Sequence, residues 1–174
     1  VAVRVRVAET GDALIRCYSL VGAAVEASRG TFAIAVRHVP RPHDRGDVPD
    51  GRMSTVMNRR LAKGDVVDVQ SPRGKFTIPV DPTRPIVLVA GGIGITPMLS
   101  YLETIAQLPT RPRVHLAYAN RSRETEAFAG RLGELRKLIP SLTVRRFWPQ
   151  PAEDLPDDVT AGRINAAVIL VPGF

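Results

Sequence analysis

Hydrophobic and polar residues alternate along the first part of the chain. In the run VAVRVRV over residues 1–7, every second position is a valine, and this period of two is typical of a strand with one buried face. A turn is predicted at 9–12, and a second strand over 13–20 completes a hairpin. A third strand is predicted over 31–38, where phenylalanine, isoleucine and valine occupy alternate positions.

The following residues continue this pattern of short elements. Residues 39–51 contain three prolines and are predicted to form a loop. A short helix is predicted over 53–61, and two further strands are predicted over 66–69 and 76–78. Five short antiparallel strands with one small helix favour an antiparallel β-barrel, which we expect to be incomplete.

The pattern changes at the proline-rich segment 81–85, which we predict to be a linker between two domains. Beyond it we predict strands over 86–90, 114–119 and 142–148 and helices over 97–107 and 123–139. The first of these strands is continuously apolar, which is typical of a strand buried on both faces. The second helix carries a stripe formed by Phe128, Leu132, Leu135 and Ile139, which predicts one buried face.

Alternation of strands and helices predicts a parallel sheet with right-handed crossovers. The predicted organisation is therefore a barrel domain over 1–80, the linker over 81–85 and a parallel α/β domain over 86–174. The chain begins at Val1 within a strand pattern, and its last run, VILVPGF, has the pattern of a strand. We therefore expect a fragment that is cut at both ends.

Composition adds a strong positive charge. The 174 residues include 24 lysines and arginines against 17 aspartates and glutamates, a formal net charge of +7. Such a charge attracts nucleic acid, acidic proteins or phosphate-bearing cofactors. No run of 18 apolar residues occurs, so no membrane span is predicted. The single cysteine, Cys17, excludes an internal disulfide and a cysteine-built zinc site and fits a reducing, cytoplasmic compartment.

A glycine-rich turn follows the buried strand, in the run GGIGITP over 91–97. Thr96 is predicted as the N-cap of the next helix, with Pro97 at its first position. Glycines allow close approach of the backbone, and a helix start offers free N–H groups, so the turn suits a phosphate or pyrophosphate. Pro97 stands where the G-x-G-x-x-G fingerprint has its third glycine, and a tight turn without a ligand remains the alternative.

Two arginines follow the next strand, in the run YANRSR over 118–123. In dinucleotide-binding folds this position usually carries an acidic residue for the ribose 2′-hydroxyl, whereas arginine suits a 2′-phosphate. The first carboxylate, Glu124, comes only after Arg121 and Arg123. This order favours NADPH over NADH, with two exposed arginines at a helix start as the alternative.

The predicted barrel contains a second group of candidate residues, in the run RCYSL over 16–20. The period of two places Arg16 and Tyr18 on one face and Cys17 and Ser19 on the other, unless a bulge or strand end redirects one of them. An arginine, an aromatic ring and a hydroxyl so close together suit a flat heteroaromatic ligand with a phosphate tail. An ordinary amphipathic strand is the alternative. The run GRMS at 51–54 is a further candidate for anion binding.

These runs occur in a recognisable order: RCYSL, FAIAVR, GRMS, GD with PRGKF, and GGIGITP. The chain resembles the ferredoxin–NADP reductase superfamily, and within it the oxygenase-type reductases and the reductase module of flavohaemoglobins. The resemblance implies FAD in the barrel and NADPH or NADH in the α/β domain. The cofactor-binding residues that it implies are Arg16, Tyr18, Ser19, Val36, Arg37, Gly51, Met53, Ser54, Gly92, Gly94 and Thr96, to which the spacing argument adds Arg121 and Arg123.

The resemblance also implies a function. A flavin-dependent oxidoreductase would pass hydride from NAD(P)H to FAD and then electrons to an iron–sulfur or haem acceptor, either a fused domain or a separate acidic protein. No side chain is predicted as a catalytic acid or base. The histidines show no metal-ligand spacing, so no metal site is predicted, and His115 is predicted to lie in the core. The alternative from another class is a basic β-barrel module that binds nucleic acid.

The chain departs from the superfamily in two places. It has room for only one strand before the R-x-Y-S strand, where the superfamily usually has two more. It also lacks the Cys-Gly-Pro turn that relatives carry on a later strand, and Cys17 is not its counterpart.

Overall fold

A computed structural model of the chain describes residues 1–7, 10–23, 30–42, 44, 46–149, 155 and 159–165. Glu9 of the predicted first turn, His43 and the final run 168–174 lie outside the described residues. The chain divides into two compact units. The first comprises Val1–Leu20 and Ala33–Thr77, and the second comprises Val21–Phe32 and Ile78–Phe174.

The first unit contains short antiparallel strands and one helix. In chain order the elements are β1 (Ala2–Arg6), β2 (Ala13–Cys17), β3 (Leu20–Val21, of which only Leu20 belongs to this unit), β4 (Ala33–Ile34), α1 (Arg52–Thr55) with a π-helical continuation (Val56–Arg60), and β5 (Asp68–Val69). Strands β2, β1 and β5 form an antiparallel sheet in that order, and β3 pairs with β4. The predicted helix over 53–61 is therefore found one residue earlier, at 52–60.

The register of the three-stranded sheet separates an apolar face from a polar one. Val3 lies opposite Val69, and Arg4 lies opposite Asp68. Val3 is 2% exposed and packs with the other valines of the first seven residues against the helix residues Met53 and Val56. On the outer face, the guanidinium of Arg4 contacts the Asp68 carboxylate at 2.8 Å. The alternation predicted for residues 1–7 is confirmed.

Several predicted strands of this unit are shorter than the pattern suggests. The second strand ends at Cys17 and not at residue 20, and the third covers only Ala33–Ile34. Residues 76–78 do not form a strand, and Val66 lies outside β5. The side chains of Val66 and Phe76 are 93% and 68% exposed, so these apolar residues lack the buried surface that would hold them in a sheet.

Over its described residues, the second unit contains a parallel sheet and two helices. Its elements are β6 (Ile86–Gly91), a 3₁₀ turn (Gly92–Ile95), α2 (Thr96–Ala106), β7 (Val114–Ala119), α3 (Ala129–Leu138), β8 (Leu142–Trp148) and β9 (Val159–Ala161). The four strands are parallel and lie in the order β6-β7-β8-β9. An antiparallel unit followed by a parallel α/β unit confirms the predicted fold class.

Both helices pack on the same face of the parallel sheet. Leu102 of α2 and Leu132 and Leu135 of α3 are fully buried in one cluster with sheet residues such as Leu116. On β6, Leu88 lies in this cluster, whereas Val89 points to the opposite face and is 40% exposed. The prediction that β6 is buried on both faces is therefore wrong; among the described strands, β6 lies at the edge of the sheet. On the inner strand β7, residues 114–118 are all buried.

The second helix of this unit starts later than predicted. It begins at Ala129 and not at residue 123 because 121–128 form a turn, in which Phe128 takes a left-handed conformation with φ of 63°. The stripe itself is confirmed, since Leu132, Leu135 and Ile139 are fully buried and Phe128 packs against them. Among the described residues, no helix is long and apolar enough to cross a membrane.

We predict that two leucines of α3 contribute very differently to stability. Leu135 is fully buried and Leu138 is 50% exposed, so Leu135→Ala removes core packing whereas Leu138→Ala removes little. We expect Leu135→Ala to lower the free energy of unfolding of this unit by about 2–5 kcal/mol. The change for Leu138→Ala should stay within about 0.5 kcal/mol. Urea unfolding followed by circular dichroism measures both, and equal losses would contradict the packing described here.

Candidate functional site

A cavity of about 260 Å³ lies at one end of the three-stranded sheet in the first unit. Its wall includes Cys17, Tyr18 and Ser19 from the end of β2, together with Gln70 and Arg73 from the segment that follows β5. The cavity therefore offers an aromatic ring, a hydroxyl, an amide and a guanidinium to one ligand. The wall also includes the exposed thiol of Cys17.

The end of β2 explains why neighbouring residues share this cavity. The Tyr18 N–H donates to the Val1 carbonyl, the Val1 amino group donates to the Tyr18 carbonyl, and both distances are 2.8 Å. The next strand, β3, pairs with β4 instead of β1. The period of two places Tyr18 and Ser19 on opposite faces unless a strand end redirects one of them, and here, at the end of β2, both line the cavity. Burial raises the pKa of Tyr18, so its phenol remains protonated and able to donate.

Arg16 lies near this cavity in sequence but not in its wall. It is opposite Val3 in the sheet register and exposed. One of its guanidinium nitrogens donates to the carbonyl of its neighbour Ile15 at 2.7 Å, and no carboxylate pairs with it within the described part of the chain. The remaining N–H groups are available to an anion. Val36, which is partly buried, and Arg37, which is exposed, follow β4 in a segment without regular secondary structure.

The start of α1 is held by a compact set of hydrogen bonds. The Gly51 N–H donates to the Val39 carbonyl at 2.8 Å, and the Val39 N–H donates to the Ser54 hydroxyl at 3.1 Å. That hydroxyl in turn donates to the Gly51 carbonyl at 2.9 Å. A Cβ atom on Gly51 would lie 2.8 Å from the Ser54 oxygen and 3.0 Å from the Val39 Cβ. Glycine is required here by close packing.

This arrangement limits what the predicted GRMS residues can offer a ligand. Ser54 is 7% exposed and its hydroxyl is used within the fold, while Met53 is 5% exposed and lies in the core. Arg52 is paired with Asp12 at 2.6 Å. The groups that remain for an anion are the backbone N–H groups of the first helical turn.

Sequence reasoning missed Asp50, which organises the loop before this helix. Its carboxylate accepts a hydrogen bond from the Arg41 N–H at 2.7 Å and lies 3.6 Å from both Arg59 and His38. The hydrogen bond from Arg41 is the main cause that holds the pKa of Asp50 below its usual value. A proline- and aspartate-rich loop predicts a turn, but its sequence does not say which aspartate closes it.

The glycine-rich turn of the second unit is open to solvent on one side. Gly92 has a φ of 49°, which favours glycine, and a Cβ atom added at Gly91 or Gly94 would meet no heavy atom within 4 Å. The predicted N-cap role of Thr96 is wrong, because the 3₁₀ turn precedes α2 and Ile95 takes the cap position. The Thr96 hydroxyl, 6% exposed, donates to the Ile93 carbonyl at 3.2 Å.

The parallel register brings the predicted arginines to the same edge as this turn. Gly91 lies opposite Ala119, so the segment that follows β7 begins beside the glycine-rich turn. Arg121 and Arg123 are exposed in that segment. Among the described residues of this segment, Glu126 is the one charged residue whose side chain is buried, at 2% exposed. It pairs at 2.8 Å with Arg146 of β8, whose side chain is 13% exposed.

Sequence reasoning also missed Tyr118, which is fully buried beneath this edge. Its hydroxyl lies 3.1 Å from the Gly92 carbonyl and 3.2 Å from the Ala127 carbonyl. The pattern of β7 places Tyr118 on the helix-covered face, but nothing in the pattern reveals where its hydroxyl points. Burial raises its pKa.

His115 lies within β7 and is 6% exposed. Its Nδ1 is 2.8 Å from the Thr143 hydroxyl, and burial lowers its pKa, which favours the neutral ring. Over the described ranges, no group of three or more histidine, cysteine, aspartate or glutamate side chains could hold a metal ion.

The sequence matches two domain families, one after the other. Residues 1–78 match the oxidoreductase FAD-binding domain, and residues 88–170 match the oxidoreductase NAD-binding domain. The first match contains the cavity and the start of α1, and the second contains the glycine-rich turn and the arginines.

Curated proteins extend the likeness along most of the chain. The chain is 34% identical over 142 residues to a flavohemoprotein of Rhodopirellula baltica, an alignment that covers 81% of this chain and 34% of that protein. It is 32% identical over 159 residues to a flavohemoprotein of Rhizobium meliloti, with 91% and 36% covered. The chain thus spans about a third of the length of these relatives.

Solved structures show the same fold. The flavohem-like FAD/NAD-binding domain of nitric oxide dioxygenase from Vibrio cholerae aligns with a TM-score of 0.77 and 24% identity, covering 98% of this chain and 67% of that one. The cytochrome b5 reductase domain of Ulva prolifera nitrate reductase aligns with a TM-score of 0.75 and 22% identity, covering 96% and 65%.

We predict that Gly51 does not tolerate a side chain. Because its Cβ would approach the Ser54 oxygen and the Val39 side chain, Gly51→Ala should lower the free energy of unfolding of the first unit by about 1–3 kcal/mol. Gly46 lies in the same loop, and a Cβ there meets nothing within 4 Å, so Gly46→Ala serves as the control and should be neutral. Thermal unfolding of both variants measures the difference, and a neutral Gly51→Ala would refute the packing argument.

Proposed function

Because the chain consists of an oxidoreductase FAD-binding domain followed by an oxidoreductase NAD-binding domain, it belongs to the oxidoreductases with the ferredoxin–NADP reductase fold, and we propose that it is the reductase module of a flavohaemoglobin-like enzyme. The order of the two matched domains on one chain carries this proposal. The flavohemoprotein relatives, which align with 81% and 91% of the chain, support it. These matches favour the reductase over the nucleic-acid-binding alternative.

In this proposal the chain takes reducing equivalents from NAD(P)H and passes them to a haem or iron–sulfur acceptor. FAD, when bound, supplies the redox chemistry by accepting a hydride and releasing electrons singly. The residues of the chain bind, orient and shield the two cofactors, and none acts as an acid or base. We retain 1–80 and 86–174 as the proposed domains, with 81–85 as the linker.

The cavity of the first unit fits the flavin ring in size and chemistry. Its volume of about 260 Å³ is slightly below the range of about 300–1,000 Å³ that is typical of sites for drug-sized ligands. It therefore suits a ring system, and the rest of the dinucleotide must extend beyond it. We assign Tyr18 to stacking on the ring and Ser19 to a hydrogen bond with a ring nitrogen.

The phosphate tail is assigned to groups outside this cavity. Arg16 has free N–H groups for the pyrophosphate, and Val36 with Arg37 would line the path towards it. At the start of α1, Gly51, Met53 and Ser54 would contribute through the backbone, because their side chains are absent or used within the fold. The helix start adds a positive dipole end that favours an anion.

The nicotinamide cofactor is assigned to the glycine-rich edge of the second unit. Gly92 has a φ that favours glycine, and Gly94 leaves open space through which the phosphates would approach the backbone. Thr96 holds the turn that would receive them. Arg121 and Arg123 form no ion pair among the described residues, although the Glu124 carboxylate is an electrostatic neighbour of Arg123. Their guanidinium groups favour the 2′-phosphate of NADPH. NADPH is therefore the proposed donor.

The acceptor is proposed from charge and from the relatives together. The flavohemoprotein relatives carry haem by name, which favours a haem on a fused domain. The net charge of +7 would also attract an acidic acceptor protein, and this attraction weakens as salt is added. We also propose a cytoplasmic location. The single cysteine is free, which fits a reducing compartment.

The first prediction from this proposal concerns FAD. Stacking of the flavin on Tyr18 should quench its fluorescence, so titration of FAD with the purified chain should give saturable quenching. Tyr18→Ala should raise the Kd for FAD by about three- to tenfold through lost stacking. Arg16→Ala should raise it by about tenfold or more through a lost charge-assisted hydrogen bond to phosphate.

Two control variants separate these effects from general damage. Tyr18→Phe keeps the aromatic ring and should quench as the unchanged chain does. Arg6→Ala removes an exposed arginine from the outer face of the same sheet and should leave FAD affinity unchanged. Absence of quenching in a chain that circular dichroism shows to be folded would sink the flavin assignment.

The second prediction concerns the choice of nicotinamide cofactor. Arg121→Gln and Arg123→Gln together should raise the KM for NADPH by about tenfold or more, because each removes a charge-assisted contact to the 2′-phosphate. The KM for NADH should hardly change. Arg84→Gln, at an exposed arginine of the same unit, is the control. Steady-state reduction of ferricyanide measures these constants, and equal changes for both cofactors would argue against the assignment.

A further inference from the structure

The hydroxyl of Tyr118 lies between the two segments that form the proposed nicotinamide site. It is 3.1 Å from the carbonyl of Gly92, in the glycine-rich turn, and 3.2 Å from the carbonyl of Ala127, in the segment that carries the two arginines. The side chain is fully buried. It therefore contacts both segments from below and is shielded from a ligand on the open side.

The contact with Gly92 sets the direction of a backbone N–H group. In a trans peptide, the carbonyl of one residue and the N–H of the next point in opposite directions. Because the Gly92 carbonyl is directed at the buried Tyr118 hydroxyl, the Ile93 N–H is directed away from the core. Thr96 acts in the same way one residue later. Its hydroxyl, at 3.2 Å, and its backbone N–H both donate to the Ile93 carbonyl, so the Gly94 N–H is directed outwards.

Two successive N–H groups directed outwards form a concave site for an anion. On this side the turn is open, since a Cβ atom at Gly94 would meet no heavy atom within 4 Å. Two buried hydroxyls thus hold the turn in the shape that an anion requires. Only the backbone is presented to the ligand.

The contact with Ala127 links residues 121–128, which we call the arginine segment, to the same Tyr118 hydroxyl. This segment is also anchored by the ion pair between Glu126 and Arg146, at 2.8 Å, with both side chains largely buried. Within it, the Ser122 N–H donates to the Thr125 hydroxyl at 3.0 Å, and the Glu126 N–H donates to the Arg123 carbonyl at 3.2 Å. The segment is therefore a defined turn, and its position relative to the glycine-rich turn depends on Tyr118.

We propose that Tyr118 is a positioning residue that fixes the glycine-rich turn and the arginine segment relative to each other, and thereby sets the affinity for nicotinamide cofactors. The inference rests on the proposed function of the second unit. Tyr118 touches neither cofactor. A phenol has one proton, which it can give to one carbonyl at a time or share between two, so one side chain serves both segments.

The variant Tyr118→Phe tests this inference, because it removes the hydroxyl and keeps the ring in the core. We expect the Kd for NADH to rise about fivefold, which corresponds to about 1 kcal/mol at 1.4 kcal/mol per tenfold. The Kd for NADPH should rise further, because the arginine segment is released as well. The Kd for FAD should stay unchanged, since FAD is assigned to the first unit.

Tyr101→Phe provides a matched control. Tyr101 is 5% exposed and belongs to the same core cluster, but its hydroxyl contacts neither segment. This variant makes the same chemical change and should leave both nicotinamide affinities as they are. Measured well below the unfolding temperature, a loss of affinity in Tyr118→Phe alone would come from the turn and not from lower stability.

Amide hydrogen exchange gives a second measurement that needs no variant. In the unchanged chain, the N–H groups of Ile93 and Gly94 should exchange readily and become protected when NADPH is added. Failure of the unchanged chain to bind either nicotinamide cofactor would overturn the proposed function and this inference together. Nicotinamide binding with unprotected Ile93 and Gly94, or with equal affinities in Tyr118→Phe, would overturn this inference alone.

Discussion

The register of the parallel strands decides where the second unit can bind a nucleotide. Leu88, Leu116 and Val144 lie at one level across three strands, and they are 4%, 0% and 6% exposed under the helices. A shift of β7 by one residue would expose this row and move the tip of β7 by about 3.3 Å. The same register places Gly91 beside Ala119. Apolar packing therefore brings the glycine-rich turn and the arginine segment together.

The sequence pattern predicts the type and order of elements well because both follow from local periodicity. The glycine-rich turn and the buried stripe of α3 are visible in short windows, and the structure contains both. The end of β2 at Cys17 was not predictable in this way, because it depends on which strand each residue pairs with. The exposure of Val89 likewise depends on which strand lies at the edge of the sheet.

The least predictable features are contacts between residues distant in sequence. Tyr118 contacts Gly92 across 26 positions, and Arg146 contacts Glu126 across 20. The neighbouring sequence of each residue suggests an ordinary role instead. Tyr118 could be a core tyrosine, Arg146 a surface arginine and Glu126 a glutamate at a helix start. Their roles emerge only when the parallel strands bring their ends together, so a candidate list drawn from motifs omits them.

The hydroxyl groups of the candidate sites serve the fold more than the ligand. Ser54 closes the start of α1, Thr96 holds the Ile93 carbonyl, and Tyr118 holds the Gly92 carbonyl. All three side chains are more than nine-tenths buried. What remains at the surface for phosphate is backbone N–H and guanidinium, the two donor types that match phosphate oxygens in charge and geometry.

This division of roles has a consequence for how substitutions act. Loss of a guanidinium removes one contact and affects only ligands that carry the matching phosphate. Loss of a buried hydroxyl keeps every group that contacts the ligand, but it releases the backbone that orients the N–H groups. It therefore weakens the binding of every ligand that these N–H groups hold, and it weakens binding most for the ligand that uses the most of them. The glycines follow the same logic: Gly51 is required by packing and Gly92 by its φ, while Gly94 leaves the approach to the turn open. Two glycine-containing runs that both suit an anion thus meet different physical requirements in the two units, and each requirement fails in its own way.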